Sequence, residues 1–261
     1  LKGKNFKRDV LVSNLDYTRV FVNQNNAKGR VGGFAVSGRS ASKETVQDFF
    51  DITKENYFIG HKAGVNTIYS IPGLKVHAKI ALVQKKISEN KKVFYGFLST
   101  GNFNEKTAKI YGDHGLFTND TELTDEMQKV FNYLENQAIK PVFRNLLVAQ
   151  FNMKATFLYL INREIQHAKE GKKACMILKM NGLEDEKMIK KLYDASQNGV
   201  SIELIVRGIC CLIPGKDYSK NIRVTRIVDS FLEHARVFVF YNNGDNDIYL
   251  SSADWMKRNL N

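Results

Sequence analysis

Three cysteines in 261 residues are too few, and too awkwardly spaced, to organise this chain. Cys175 stands alone and Cys210 is adjacent to Cys211, which is neither the spacing of a metal site nor an even set for a disulfide framework. A reduced, cytoplasmic setting is the simplest reading. Long apolar runs are missing too. No stretch approaches the roughly 20 residues that a bilayer-crossing helix needs, and no signal peptide is recognisable. The chain starts at Leu1 without an initiator methionine, so it reads as a fragment. Acidic residues are scarce, 27 against 39 lysines and arginines, leaving a net charge of +12. A basic surface suits a polyanion such as nucleotide, polyphosphate, nucleic acid or an anionic membrane face, and equally suits plain solubility. The bases are scattered rather than run together, which argues against a disordered nucleic-acid tail.

What is present is ordinary globular material, 43% hydrophobic and 25% charged, in a chain long enough for two domains with cores of their own. Residues 121–136 carry Met127, Val130, Phe131 and Leu134 as a helical stripe behind a capping start. Residues 152–169 place Phe157, Leu160, Ile161 and Ile165 on one face, and 184–197 do the same with Met188, Ile189, Leu192 and Tyr193 before an Asn198-Gly199 stop. Residues 175–180 form a short strand between them. Pro141 breaks a weakly patterned connection at 138–148, the expected joint between domains 1–146 and 147–261. Alternating elements of this kind predict α/β sheets flanked by helices.

One pattern occurs twice. LKVHAKIALV around His77 and FLEHARVFVF around His234 each give a histidine, an alanine, a base and an apolar strand. VFYGFLSTGN (93–102) and DIYLSSADWM (247–256) follow them, each ending in small hydroxyl residues and an amide or carboxylate. AGVNTIYS (63–70) and NGVSIELIV (198–206) precede them as a helix end running into a strand. Two copies of one unit, each delivering an imidazole and a cation, suggest one site of phosphoryl transfer: one histidine attacks phosphorus and the other manages the proton. His77 is expected mid-strand, so Lys75 and Lys79 share its face, holding its pKa down and drawing in phosphate oxygens. Arg236 shares the face of His234 in the same way. A solvent-facing edge strand is the plainer account of either segment alone; the repetition tips the balance.

The STGNFNEKTA stretch (99–108) offers Ser99, Thr100, Asn102, Asn104 and Lys106 to an anion or an imidazole, although a polar turn into a helix has the same look. Residues 33–40 read G-x-x-x-x-G-R-S, one substitution from a Walker A loop, but Arg39 replaces the lysine and does not fit that cradle. We reject that match.

The blocks GLKVHAKIALV, STGNFNEKTAKIYGDHGLFT, LIVRGICCLIPG, NIRVTRIVDSFLEHARVF and YLSSADWMKRNL resemble the carboxy-terminal half of bacterial polyphosphate kinase, type 1, from about Ala63 to Asn261. The resemblance implies two phospholipase D-like domains, each a mixed sheet flanked by helices, forming a duplicated unit. It implies reversible transfer of the ATP γ-phosphate to inorganic polyphosphate with Mg²⁺, through a phosphohistidine at His77, with His234 as the second essential histidine. Tyr111 and Arg207 fall on positions that contact the nucleotide phosphates, beside Lys75, Lys79, Asn102 and Arg236. It implies as partners ATP or ADP, polyphosphate, the enzyme's amino-terminal and head domains and a second copy of the chain, with no nucleic acid, in the cytoplasm or at the inner-membrane face.

Two departures matter. His77-x-Lys79 is not followed by the Asp of the phospholipase D pattern; Gln84 is the nearby polar residue. Residues 1–60 are atypical: where the family has an arginine that helps hold Mg²⁺, the neighbourhood of Gln47 has none, so the metal ligands stay unassigned and Arg39 is the one substitute in reach. The isolated chain is therefore expected to be a weak or inactive kinase. A phosphodiesterase using the same histidines, or a non-catalytic polyanion-binding module, remain as alternatives.

Overall fold

A computed structural model of the chain describes residues 76–228 and 230–260, together with the backbone of three strands, β1 (Leu15–Arg19), β2 (Ala35–Arg39) and β3 (Val46–Asp51). Next in the chain come β4 (Ile80–Ser88), β5 (Lys91–Ser99), β6 (Tyr111–Gly112) and β7 (Gly115–Thr118). The second half supplies β8 (Cys175–Met180), β9 (Ser201–Val206), β10 (Ile222–Thr225), β11 (Leu232–Glu233), β12 (Arg236–Phe240) and β13 (Asp247–Ser251). Helices occupy Glu105–Ala108, Thr121–Glu135, Met153–Lys169, Glu186–Gln197 and Lys257–Leu260. The middle of the Walker-like run is β2, paired antiparallel with β3, so it is not a strand-to-helix phosphate loop.

The chain divides into two compact units. The first contains Ile80–Leu98 and Leu116–Leu146 with the residues up to Val76. Its sheet runs β1-β4-β5-β7. β4 and β5 make an antiparallel hairpin in which Ile80 faces Leu98 and Val83 faces Tyr95. The 121–135 helix starts where the Asp120 carboxylate accepts the Leu123 N–H at 2.9 Å, a side-chain cap. Its Met127 and Phe131 bury against Leu82, with Ile80, Phe94 and Leu98 alongside. From the same helix the buried Glu126 accepts the N–H groups of Arg144 and Leu146, each at 2.7 Å. That carboxylate pins the connection after Pro141.

The second unit takes His77–Lys79, Ser99–Gly115 and everything from Leu147. Its five-stranded sheet is ordered β10-β9-β8-β12-β13. β8, β9 and β10 are parallel, and β12 runs antiparallel to both its neighbours, β8 and β13. Alternation sends Met176, Leu178 and Met180, Ile202, Leu204 and Val206, and Phe238 and Phe240 to one face, where the 153–169 and 186–197 helices cover them. Each helix forms where its stripe predicts: Phe157, Leu160, Ile161 and Ile165 on one, Met188, Ile189 and Leu192 on the other. The second ends at Asn198, and Gly199 takes a φ of +90° that a side chain would strain.

Phe157 is the hub of this core. It is 1% exposed and touches Phe238, Trp255 and Tyr249 at ring separations of 5.0, 5.3 and 5.8 Å. Among the described residues no helix is long and apolar enough to cross a membrane. Replacing Phe157 by Ala is expected to cost about 3–5 kcal/mol of stability, read as a lowered urea midpoint with an unchanged m-value; a loss under about 1 kcal/mol would show that this aromatic cluster is not the anchor of the unit.

Candidate functional site

His77–Lys79 and the His234 segment both belong to the second unit. His77 lies just ahead of β4 and outside it, which corrects the mid-strand expectation. The reason is its partner strand: β5 ends at Ser99, whose N–H donates to Lys79 O at 2.8 Å, and the chain then turns away. Lys79 is 6% exposed, and its ammonium donates back to His77 O at 2.7 Å.

His234 sits between β11 and β12, and β11 positions it. β11 pairs in parallel with β6, Leu232 beside Tyr111 and Glu233 beside Gly112. Ala235 N–H adds a bond to Gly112 O at 3.2 Å. This register puts the Tyr111 ring 5.0 Å from the imidazole and Asp113 Oδ1 2.8 Å from its Nδ1. On the other side Arg236 Nη1 lies 3.1 Å from His234 Nε2 and donates to His234 O at 2.8 Å. Arg236 is 4% exposed, and Asp254 holds it through Nε–Oδ1 at 3.1 Å and Nη2–Oδ2 at 2.8 Å. The Asn181 amide donates to His234 O at 2.9 Å, and its Oδ1 accepts Arg207 Nε at 2.7 Å.

The electrostatics follow from burial. Loss of solvent pushes the His234 pKa below its ordinary 6.5, and the nearby Arg236 and Lys79 charges push the same way. The Asp113 bond and charge oppose this and lose. Burial acts on Asp254 in the opposite sense, raising it. The Arg236 fork and the Asn181 and Gly182 N–H groups outweigh that and hold it below the ordinary 3.8.

The structure thus brings Lys79, Tyr111, Arg207, His234 and Arg236 into one unit with the His77 backbone. Asn102 is exposed. Lys75 and the 63–70 segment lie outside the described residues, as do the side chains of Arg39 and Gln47. Arg236, expected at a phosphate, is held by Asp254 and lies against His234. Sequence reasoning missed Asp113, Asn181 and Asp254. The available signal was the small-residue stretch after each copy: Ser99 Oγ accepts the Gly101 N–H and Ser251 Oγ the Ala253 N–H, both at 2.9 Å, so the same turn recurs. Among the described residues no group of three or more His, Cys, Asp or Glu side chains is placed for a metal ion. Asp113 and Asp254 are taken by His234 and Arg236, so this set does not fit a resident Mg²⁺.

Fold and site together define a phospholipase D-like α/β protein with a histidine and cation centre. The chain belongs to the polyphosphate kinase family: Polyphosphate kinase C-terminal domain 1 matches residues 58–140 and C-terminal domain 2 matches 146–261. It is 50% identical over 199 residues to a polyphosphate kinase of Yersinia pestis and 46% identical over 201 residues to one of Escherichia coli. Each alignment covers 76% of this chain and 29% of the relative. The crystal structure of polyphosphate kinase from Porphyromonas gingivalis is similar with a TM-score of 0.74 at 47% identity, covering 79% of this chain and 32% of that one. This chain therefore spans under a third of the length of these relatives.

Removing the Asp254 carboxylate would leave Arg236 buried and unpaired, so Asp254→Ala is expected to cost about 3–5 kcal/mol. His234 gives a pH dependence of definite sign. The unfolded chain takes up this proton near pH 6.5 and the folded protein resists until lower pH, so this part of the stability falls as pH drops through 6.5. Urea midpoints measured from about pH 8 to about pH 5.5 should therefore decline, and His234→Gln should flatten that decline. An unchanged slope in the variant would remove His234 as its source.

Proposed function

We propose that this chain carries the phosphoryl-transfer centre of a polyphosphate kinase, moving the ATP γ-phosphate reversibly onto inorganic polyphosphate through a phosphohistidine at His77. The observation that carries the reading is the grouping of Lys79, Tyr111, Arg207, His234 and Arg236 with the His77 segment in one compact unit. His77 attacks the γ-phosphorus; the bond to the ADP oxygen breaks as the N–P bond forms. A terminal oxygen of polyphosphate then attacks the same phosphorus and His77 leaves. Splitting transfer this way lets donor and acceptor use one site in turn.

The other residues divide the remaining work. Lys79, a buried ammonium, supplies positive charge beside the His77 backbone. Arg207 spends Nε on Asn181, and its Nη groups are the donors a phosphate would take. The Tyr111 hydroxyl adds one more. His234, neutral around pH 7 because burial lowers its pKa, takes up or returns the proton of the attacking phosphate. Mg²⁺ would arrive as the counter-ion of ATP and polyphosphate, since it keeps water and phosphate ligands readily; no protein ligand is assigned to it. We also read 1–146 and 147–261 as the two phospholipase D-like domains, supported by a division between Leu146 and Leu147. The further domains of the full enzyme, and a second copy of the chain, are its expected partners.

The test is direct. With Mg²⁺ and γ-labelled ATP, and separately with labelled polyphosphate, the chain should form an acid-labile, base-stable phosphoprotein that His77→Ala abolishes. Label that persists in His77→Ala would move the nucleophile elsewhere. Hydrolysis of a generic phosphodiester without label would favour a phosphodiesterase. Salt-sensitive polyphosphate binding that survives loss of both histidines, with no label under any condition, would favour a binding module.

A further inference from the structure

A guanidinium has five N–H groups and no acceptor. The 3.1 Å approach of Arg236 Nη1 to His234 Nε2 therefore requires Nε2 to be the bare, accepting nitrogen. The imidazole proton is then on Nδ1, which faces Asp113 Oδ1 at 2.8 Å. Both ends of the ring are specified by partners that are themselves held. Asp113 Oδ1 also accepts the Thr100 hydroxyl at 2.7 Å. Thr100 is 2% exposed, and its Oγ1 accepts the His114 N–H at 2.9 Å. The Asp113 side chain lies flat on Gly101, where an added Cβ would come within 2.5 Å of Oδ2 and 2.9 Å of Asp113 Cβ. Only glycine leaves room for that carboxylate. On the far side, Asp254 fixes Arg236 through Nε and Nη2, and Nη1 donates one N–H to His234 O at 2.8 Å, so only its second N–H, toward Nε2, is open to a competing acceptor.

We propose that Thr100, Gly101 and Asp113 are positioning residues that lock His234 as its Nδ1–H tautomer, and that one Nη1–H of Arg236 covers Nε2 until a phosphate oxygen competes for it. The use made of the exposed Nε2 rests on the phosphotransfer reading; the tautomer itself does not. As a terminal P–O–H of polyphosphate attacks the phosphohistidine, its oxygen bonds to phosphorus and its proton passes to Nε2. The N–P bond breaks and its electron pair returns to His77. The imidazolium so formed keeps both N–H groups satisfied, one on the Asp113 carboxylate and one on the new bridging oxygen. The reverse sequence restores the starting state. An orienting carboxylate on one ring nitrogen with chemistry at the other is a general way to commit a histidine to one role.

The experiment is a long-range ¹H–¹⁵N correlation on the ¹⁵N-histidine-labelled chain at a pH where the histidines are neutral. The five histidines give five ring patterns, and the one lost in His234→Gln identifies its own. The expected pattern has a protonated Nδ1 and a bare Nε2. Asp113→Asn, whose amide can donate to Nδ1, should shift His234 toward the Nε2–H form. Thr100→Val and Gly101→Ala should give a mixture, with the other four patterns unmoved. An Nε2–H or averaged pattern in the parent overturns the proposal, even if every variant fails to fold. An Asp113→Asn pattern identical to the parent's overturns it as well. In the labelling assay Asp113→Asn should slow discharge of phosphohistidine to polyphosphate by roughly 10²–10⁴-fold, the usual scale of proton-transfer catalysis. A parent that takes no label yet shows the expected tautomer counts against the phosphotransfer reading alone.

Discussion

Asp254 is the carboxylate on which the second unit's chemistry hangs. Its Oδ1 accepts the Asn181 and Gly182 N–H groups at 2.7 and 3.1 Å, and the Arg236 fork adds Nε and Nη2. One side chain thereby ties the end of β8, the start of β12 and the turn after β13. A buried anion with one donor would be costly, but one with four is well compensated. Asn181, steadied through its backbone here, holds His234 O with its amide and Arg207 with its carbonyl. His234 and two of the three arginine and lysine groups around it are therefore aligned by a residue that need never touch substrate.

The two copies of the histidine unit share more than their sequences suggest, and they diverge at a definite point. In both, the base two residues after the histidine donates back to the histidine carbonyl, Lys79 to His77 at 2.7 Å and Arg236 to His234 at 2.8 Å. In both, an antiparallel strand pair follows and ends in a serine turn. A lysine has one ammonium to place, whereas the arginine fork reaches the carbonyl, the ring nitrogen and a carboxylate together. The position matching Asp254 in the first copy is Asn102, which is exposed. In one copy the imidazole lies between a carboxylate and an arginine; in the other an ammonium lies beside the histidine carbonyl. That asymmetry suits one imidazole that handles protons and one that makes and breaks a bond to phosphorus.

The basic composition gains a local meaning from this arrangement. Most of the described lysines and arginines are in contact with solvent. Lys79 and Arg236 are different because they are buried beside a histidine. Burial is what chiefly lowers the His234 pKa, and the charges of Arg236 and Lys79, acting at close range away from water, add to it. The net charge by itself leaves a solvated surface and a working centre indistinguishable, because it carries no information about burial.

Much of the fold was legible in the chain. The 153–169 and 186–197 helices, the 175–180 strand and the Asn198-Gly199 stop are local events, set by apolar period and capping chemistry within a few residues. The repeated histidine, base and small-hydroxyl pattern was equally readable, because duplication leaves a one-dimensional trace. His77 was misplaced into a strand since a strand's start depends on where its partner ends, and Ser99 is more than 20 residues away. Asp113 and Asn181 carry no local mark; they acquire their roles 121 and 53 positions from His234, through strand pairings that no sequence window spans. The sequence alone determined which elements form and which two histidines recur in the repeated pattern. Only the tertiary structure decided that His234 is held between a carboxylate and an arginine, because burial and register, unlike periodicity, are properties of the assembled sheet.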